Sequence, residues 1–342
     1  MRKTGLDIIR CCAIFFVISV HYISYSGYYD IKLIGSFAFF VTMLRWLFYT
    51  CVPLFLILTG YLLNNRKLNL GHYKKIIRVL FEYFIACILC NLYKIIIMKE
   101  KFTILGWISS ITGFWAAPYS WYINMYIGLF LIIPFLNLIY NNLNNKRHKR
   151  ILLLILIFLV SMPKLCNISF VIFPDWWIDL YPILYYFIGC YIYEYSIELS
   201  KVKIVLCIII CLIIQTSITF CFTDNGVFNE LAQDGYGTFF TAIISTCIFI
   251  LLYNINIQNK LMYTILGSIS KCTLSMYLIS WVFDKIVYNY FNVNISENMF
   301  NIKYYPLITI LILGGAYIIS LIIVFLYDIL LKISNIYIIK NK

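Results

Sequence analysis

The sequence predicts an all-α polytopic integral membrane protein with about ten transmembrane helices and both termini cytoplasmic. Three observations carry this reading. The 342 residues are 63% hydrophobic and only 12% charged, against roughly 45–50% apolar and about 25% charged in a soluble globular domain. Mean hydropathy is +0.89. Apolar runs of the length that crosses hydrocarbon, about 20 residues, recur along the whole chain. Such a chain cannot cover a soluble core with polar surface, which argues against soluble enzymes, nucleic-acid-binding proteins and disordered chains.

Polar punctuation divides the chain into ten candidate helices: 6–26, 37–63, 76–98, 119–140, 151–171, 180–196, 202–222, 238–256, 271–291 and 306–333. Arg2 and Lys3 ahead of the first run imitate a signal peptide. No small-residue cleavage site follows, so the run is read as a retained first helix. The piece from Ile104 to Trp115 is too short to span and is read as interfacial or re-entrant. No repeat and no soluble appendage is visible, so residues 1–342 are read as one membrane domain.

Ten spans put both termini on one side. With that side cytoplasmic, the inner segments hold 18 of the 27 Lys and Arg residues, the outer segments hold 7, and Arg10 and Arg45 lie within spans. This is the positive-inside bias. Asp175, Asp179, Asp224, Glu230 and Asp234 gather on expected outer loops. The net charge of +13 is therefore read mainly as topology, with no nucleic-acid partner. Of the 12 cysteines, Cys11, Cys12, Cys87, Cys90, Cys207, Cys211 and Cys247 lie in apolar runs, where Cys packs as a small hydrophobe. Cys87-x-x-Cys90 has no companion pair or His cluster, so no metal site is expected.

A titratable residue inside a span is costly, so each one marks a possible site. Helix 1 carries Asp7, Arg10 and His21. At 100° per residue Arg10 and His21 lie about 20° apart around the helix and roughly 16 Å apart along it, with Asp7 on the same stripe. His21 suits a general base because imidazole accepts a proton near neutral pH. Equally, it suits a histidine hydrogen-bonded at the outer headgroup interface. Arg10 reads as an anion-binding cation, a snorkelling arginine, or the partner of Asp7 one turn away. Arg45 either orients an acceptor or stabilises an oxyanion, or it marks the outer end of helix 2. Lys75 and Arg78, three apart on an expected inner loop, suit phosphate groups, or are plain positive-inside charge. Lys146–Arg150 is read as positive-inside charge alone.

These residues together resemble the acyltransferase family 3 membrane proteins. Arg10 and His21 match the family's Arg-x10-His motif. Pro53–Leu63 (PLFLILTGYLL) resembles P-x-F-F-x-x-S-G-Y/F, with Leu56 for the second Phe and Thr59 for Ser. Lys75-x-x-Arg78 resembles R-x-x-R. Trp121-Tyr122 with Gly128 and Pro134 is similar to the family's W-Y-L…G-L-Y-L-x-x-P helix, and Tyr185–Ile192 to a later Y-F-x-x-G-Y segment. One departure stands out: Ser280 occupies the place where the family often has His.

The resemblance implies a multi-pass O-acyltransferase of a bacterial plasma (cytoplasmic) membrane. Its expected substrates are acetyl-CoA, or another acyl-CoA, and a hydroxyl of a cell-surface polysaccharide or lipid-linked glycan; no bound cofactor is expected. It implies catalysis by His21 and Arg10 and donor binding by Lys75 and Arg78. Asp7, Arg45, Trp121 and Tyr122 are expected in support or around the acceptor. The chain leaves no room for the extracytoplasmic esterase domain of some family members. The alternative is a transporter or exporter of glycan or lipid-linked intermediates, against which stands the lack of inverted repeats or paired broken helices in the sequence.

Overall fold

A computed structural model describes residues 3–167, 170–223, 225–229, 235–291 and 304–340. All elements among the described residues are helical, apart from one isolated antiparallel bridge between Lys32 and Val227. The longer helices are α1 (Thr4–Tyr25), α2 (Gly35–Phe48), α3 (Cys51–Leu63), α5 (Ile76–Ile96), α7 (Trp121–Asn141), α8 (Lys146–Cys166), α9 (Tyr181–Tyr195), α10 (Lys201–Cys221), α11 (Phe239–Leu252), α12 (Lys260–Tyr290) and α13 (Tyr305–Lys340). Two short ones, α4 (Leu70–Tyr73) and α6 (Ile104–Thr112), precede α5 and α7.

Among the described residues, seven helical stretches are long and apolar enough to cross a membrane: α1, α2–α3 together, α4–α5 together, α7, α10, α12 and Tyr305–Ile333 of α13. The other three expected spans are α8, α9 and α11. The first carries basic residues at both ends, and the last two have 15 and 14 residues, about 21–22 Å of helix. Boundaries move where capping or proline intervenes. Expected helix 2 is broken at Tyr49–Thr50, where Pro53 has no N–H to return to the Tyr49 carbonyl; at the same turn Thr50 Oγ1 donates to Leu47 O at 2.7 Å. Helix α8 starts at Lys146 because the Asn145 side chain accepts the Arg147 N–H at 2.8 Å. The Lys146–Arg150 run is thus helical. Helix α12 starts at Lys260, eleven residues before the expected 271.

The described residues form two compact units. The first comprises the chain up to Lys67 together with Ile133–Leu266. Its strongest packing is α3 against α9, through two glycines. A Cβ at Gly60 would lie 1.9 Å from Tyr186 O, and one at Gly189 would lie 2.0 Å from Ile57 O. Glycine is what allows the backbones this close. The end of α3 is held by Asn137, whose Nδ2 donates to Leu63 O and Arg66 O at 2.8 and 2.9 Å while its Oδ1 accepts from Tyr186 OH at 2.7 Å. Helix α1 lies against α3, α2 and α11. Gly5 sits on the carbonyls of Leu252 and Tyr253, and Phe15 and Phe16 meet Phe48 at 6.0 and 5.4 Å.

The second unit comprises Leu68–Ile132 with the chain from Gly267 onward. Helices α5 and α12 run parallel within it: Arg78 Nη2 donates to Lys271 O at 3.2 Å, and Ser275 Oγ donates to Glu82 Oε2 at 2.6 Å. Helix α6 and the following turn lie along α5. Asn91 Nδ2 donates to Ser110 Oγ at 3.0 Å, Tyr83 OH to Ile111 O at 2.5 Å, and the Tyr83 ring stacks on Phe114 at 5.0 Å.

Candidate active site

Helix α1 presents Asp7, Arg10 and His21 from one continuous run of backbone hydrogen bonds. Their common stripe follows from helical periodicity alone. Asp7 is buried in the first turn, where the helix dipole favours a carboxylate. Arg10 Nη1 lies 3.3 Å from Asp7 Oδ1, with the Arg10 side chain 27% exposed. Among the three readings of Arg10, the Asp7 pair is the one formed. The carboxylate fixes the root of the guanidinium while leaving part of it accessible to an anion. His21 is half-buried one turn before the end of α1.

Arg45 does not mark a helix end at an interface. It is fully buried in the last turn of α2. Its guanidinium carbon lies 4.3 Å from the Phe228 ring, 4.5 Å from Trp46, 4.8 Å from Tyr49, 5.3 Å from Tyr29 and 5.8 Å from Tyr28. Nε donates to Tyr29 OH at 3.1 Å. A delocalised, weakly hydrated cation stacks well on aromatic faces. The cage ties the segment after α1 to the segment after α10, where Leu33 N also donates to Gly226 O at 2.8 Å. Of the expected outer acids, Asp224, Glu230 and Asp234 lie outside the described residues, as do Arg2 and Lys303.

Lys75, Arg78, Trp121 and Tyr122 belong to the second unit. Lys75 is exposed just before α5, and Arg78 is half-exposed in its first turn. Arg78 Nε is 2.8 Å from Glu82 Oε1. Trp121 and Tyr122 open α7. Trp121 is 38% exposed, whereas Tyr122 is buried with its ring 5.6 Å from Tyr277. Ser280 is buried, and its hydroxyl turns back to Tyr277 O at 2.9 Å. No imidazole takes its place at that position.

Four charged residues were not singled out by sequence reasoning. Glu82 holds Arg78 and Ser275 at once. Lys94, expected on an outer segment, is buried inside α5 and donates to Trp115 O and Ala116 O at 3.3 and 2.9 Å. Asp284 is fully buried on α12 and accepts from Tyr119 OH at 2.6 Å. Lys149, expected as simple positive-inside charge, is buried against Glu194 at 2.7 Å and over the Tyr140 ring at 4.5 Å. For Glu82, Lys94 and Asp284 the signal available in the sequence was the cost of placing a charge in an apolar run, the same signal that exposed Arg10 and Arg45; Lys149, inside the basic run 146–150, carried no such signal.

Among the described residues no three His, Cys, Asp or Glu side chains converge as a metal-ligand set, and Cys87 and Cys90 are buried thiols without a disulfide. A family model described as an acyltransferase domain matches residues 3–327. No curated relative and no solved structure matches the chain. With nearly all of the chain inside that match, and seven of its helical stretches apolar enough to cross a membrane, the protein belongs to acyltransferase family 3 and is a multi-pass membrane acyltransferase.

Proposed function

We propose that the protein is an O-acetyltransferase working as a single domain in a bacterial plasma membrane, with both termini cytoplasmic. It moves an acetyl group from cytoplasmic acetyl-CoA to a hydroxyl of a cell-surface polysaccharide or its lipid-linked precursor. The observation that carries this reading is the α1 stripe: an Asp7-anchored Arg10 near the terminus side, and His21 roughly 16 Å further along the same face. A reaction joining a donor from one side to an acceptor on the other needs a cation and a base so separated.

In this proposal His21 takes the proton of the acceptor hydroxyl, and the alkoxide attacks the thioester carbon. The carbon–sulfur bond breaks, and the CoA thiolate leaves and takes up the proton held by the imidazole. In the same proposal Arg10 holds the donor or polarises its thioester, and its separation from His21 along α1 favours the first role. Lys75 and Arg78 bind donor phosphates, Arg78 with its guanidinium oriented by Glu82. Trp121 supplies an exposed ring of the kind on which sugars stack, and Tyr122 supports it from within the unit. Arg45 acts by holding the segments around its aromatic cage.

The test is the ester content of surface glycans, read by mass spectrometry, in cells expressing wild type or His21→Ala at equal protein level. Loss of the ester in the variant supports His21 as base, and unchanged esters refute it. Arg10→Ala is expected to lose activity as well, while Lys146→Ala retains it. Purified protein that neither binds nor turns over acetyl-CoA, yet exchanges labelled glycan across vesicles, is a transporter instead.

A further inference from the structure

The turn from α6 to α7 in the second unit is held more tightly than a membrane-edge connection requires. Phe114 adopts φ 58°, a left-handed conformation that is costly for a bulky side chain. Lys99, between α5 and α6, has φ 59°. Two of the four non-glycine residues with positive φ among the described residues therefore lie at this corner, where the Phe102 ring stacks on that of Trp115 at 6.4 Å.

Strained backbone persists only where its surroundings fix it. Here the buried Lys94 ammonium donates to Trp115 O and Ala116 O at 3.3 and 2.9 Å. Ser110 O accepts from the N–H groups of Trp115 and Ala116 at 3.1 and 2.9 Å. Ser120 Oγ donates to Phe114 O at 2.6 Å. Tyr119 is held at both ends by α12: its hydroxyl donates to Asp284, and its carbonyl accepts from Tyr277 OH.

This clamped turn holds out the Trp115 ring, which is 47% exposed. Gly113 provides its seat, since a Cβ there would lie 2.8 Å from Trp115 Cδ1 and 2.9 Å from Nε1. The neighbours Ala116, Ala117, Tyr119 and Ser120 are buried. Glu100 and Lys101, immediately before Phe102, are exposed. An open aromatic face beside a carboxylate and an ammonium suits a sugar, whose C–H face packs on the ring while its hydroxyls bond to the charged groups. A tryptophan that only anchors a helix among lipid headgroups needs no strained, charge-clamped backbone beneath it. A binding face gains from being fixed before its ligand arrives.

We infer that Trp115 is an acceptor-binding residue, whose exposed face stacks on a sugar unit of the glycan while Glu100 and Lys101 meet that unit's hydroxyls. This rests on the acceptor reading above and deepens it, by requiring a sugar ring at the turn before α7.

The test is the ester content of surface glycans, read by mass spectrometry, in cells lacking the native gene and expressing each variant at an equal, limiting level. The melting midpoint of each purified variant is the second measurement. Trp115→Leu keeps an apolar side chain for lipid and removes the stacking face. It is expected to lower ester content by about fivefold to tenfold, the scale of one aromatic anchor, at an unchanged midpoint. Trp115→Phe is expected to retain most of the ester, and Ile310→Ala, exposed on α13, all of it. Ester content in Trp115→Leu within twofold of wild type overturns this inference, assigns the ring to the headgroup layer and leaves the acceptor reading standing. A loss that comes with a lower midpoint, or that Trp115→Phe does not reduce, makes the ring a structural part of the turn and also overturns it. Wild-type protein that adds no ester above the empty vector overturns both the inference and the acceptor reading.

Discussion

Replacing Gly60 by alanine tests the central helix crossing with a single methyl group. The added Cβ would stand 1.9 Å from Tyr186 O and 2.7 Å from Tyr186 C, where ordinary contact begins at 3.4 Å. Both neighbours are backbone atoms, so no rotamer change relieves the clash. Helices α3 and α9 must part by about 1.5 Å, which loosens the Tyr186–Asn137 hydrogen bond and the Cys190 contact with Gly60 O. Overpacking of a close-packed interior costs roughly 1–3 kcal/mol, and a rigid backbone clash belongs at the upper end, about 3 kcal/mol. For a chain of 342 residues that corresponds to a fall in Tm of roughly 4 °C, read by fluorescence-detected size-exclusion after heating in detergent. Gly189→Ala strikes the same crossing, so the double variant is expected to lose less than the two separate losses combined. Gly128 is the control. A Cβ there meets nothing within 4 Å, and alanine gains about 1 kcal/mol of helix propensity over glycine. Gly60→Ala that melts with wild type, or Gly128→Ala that falls as far, refutes the packing argument.

The charged residues give further expectations. Lys94→Met leaves the carbonyls of Trp115 and Ala116 without their cationic donor, and a stability loss of about 2–3 kcal/mol is expected in the same melting assay. Arg45→Lys keeps the charge but loses the planar stack; a loss of about 1–2 kcal/mol is expected, and thermal midpoints equal to wild type would show the cage to be idle. Glu194→Leu strands the buried Lys149 and is expected to cost about 1–2 kcal/mol, discounted because the Glu194 side chain is 37% exposed. Adding Lys149→Met to Glu194→Leu is expected to restore most of that loss; a double variant no better than the single one contradicts the stranded-charge account.

Part of this protein was legible because it depends on neighbours in sequence. Helical class follows from apolar runs, and the Arg10–His21 stripe follows from the fixed pitch of α1, whatever packs around it. The glycines of the Pro53–Leu63 and Tyr185–Ile192 segments were visible as motif letters before the structure showed them meeting across α3 and α9. Gly128, an equally visible letter, meets no such neighbour. Motif identity alone did not say which glycines carry a crossing.

The tertiary structure decided the standing of each charge. A hydropathy window averages a lysine or aspartate into its apolar neighbours, so Glu82, Lys94 and Asp284 vanish inside their runs. Whether such a residue is tolerable depends on partners distant in sequence: Ser275 for Glu82, the Trp115–Ala116 carbonyls for Lys94, Tyr119 for Asp284. Arg45 shows the same dependence, since two of its five rings come from the segment after α1 and one from the segment after α10. The sequence by itself determined an all-helical membrane chain and the spacing of Arg10 and His21, because both are local. The folded chain determined which charges are braced and which are caged, because electrostatic cost is a property of the surroundings.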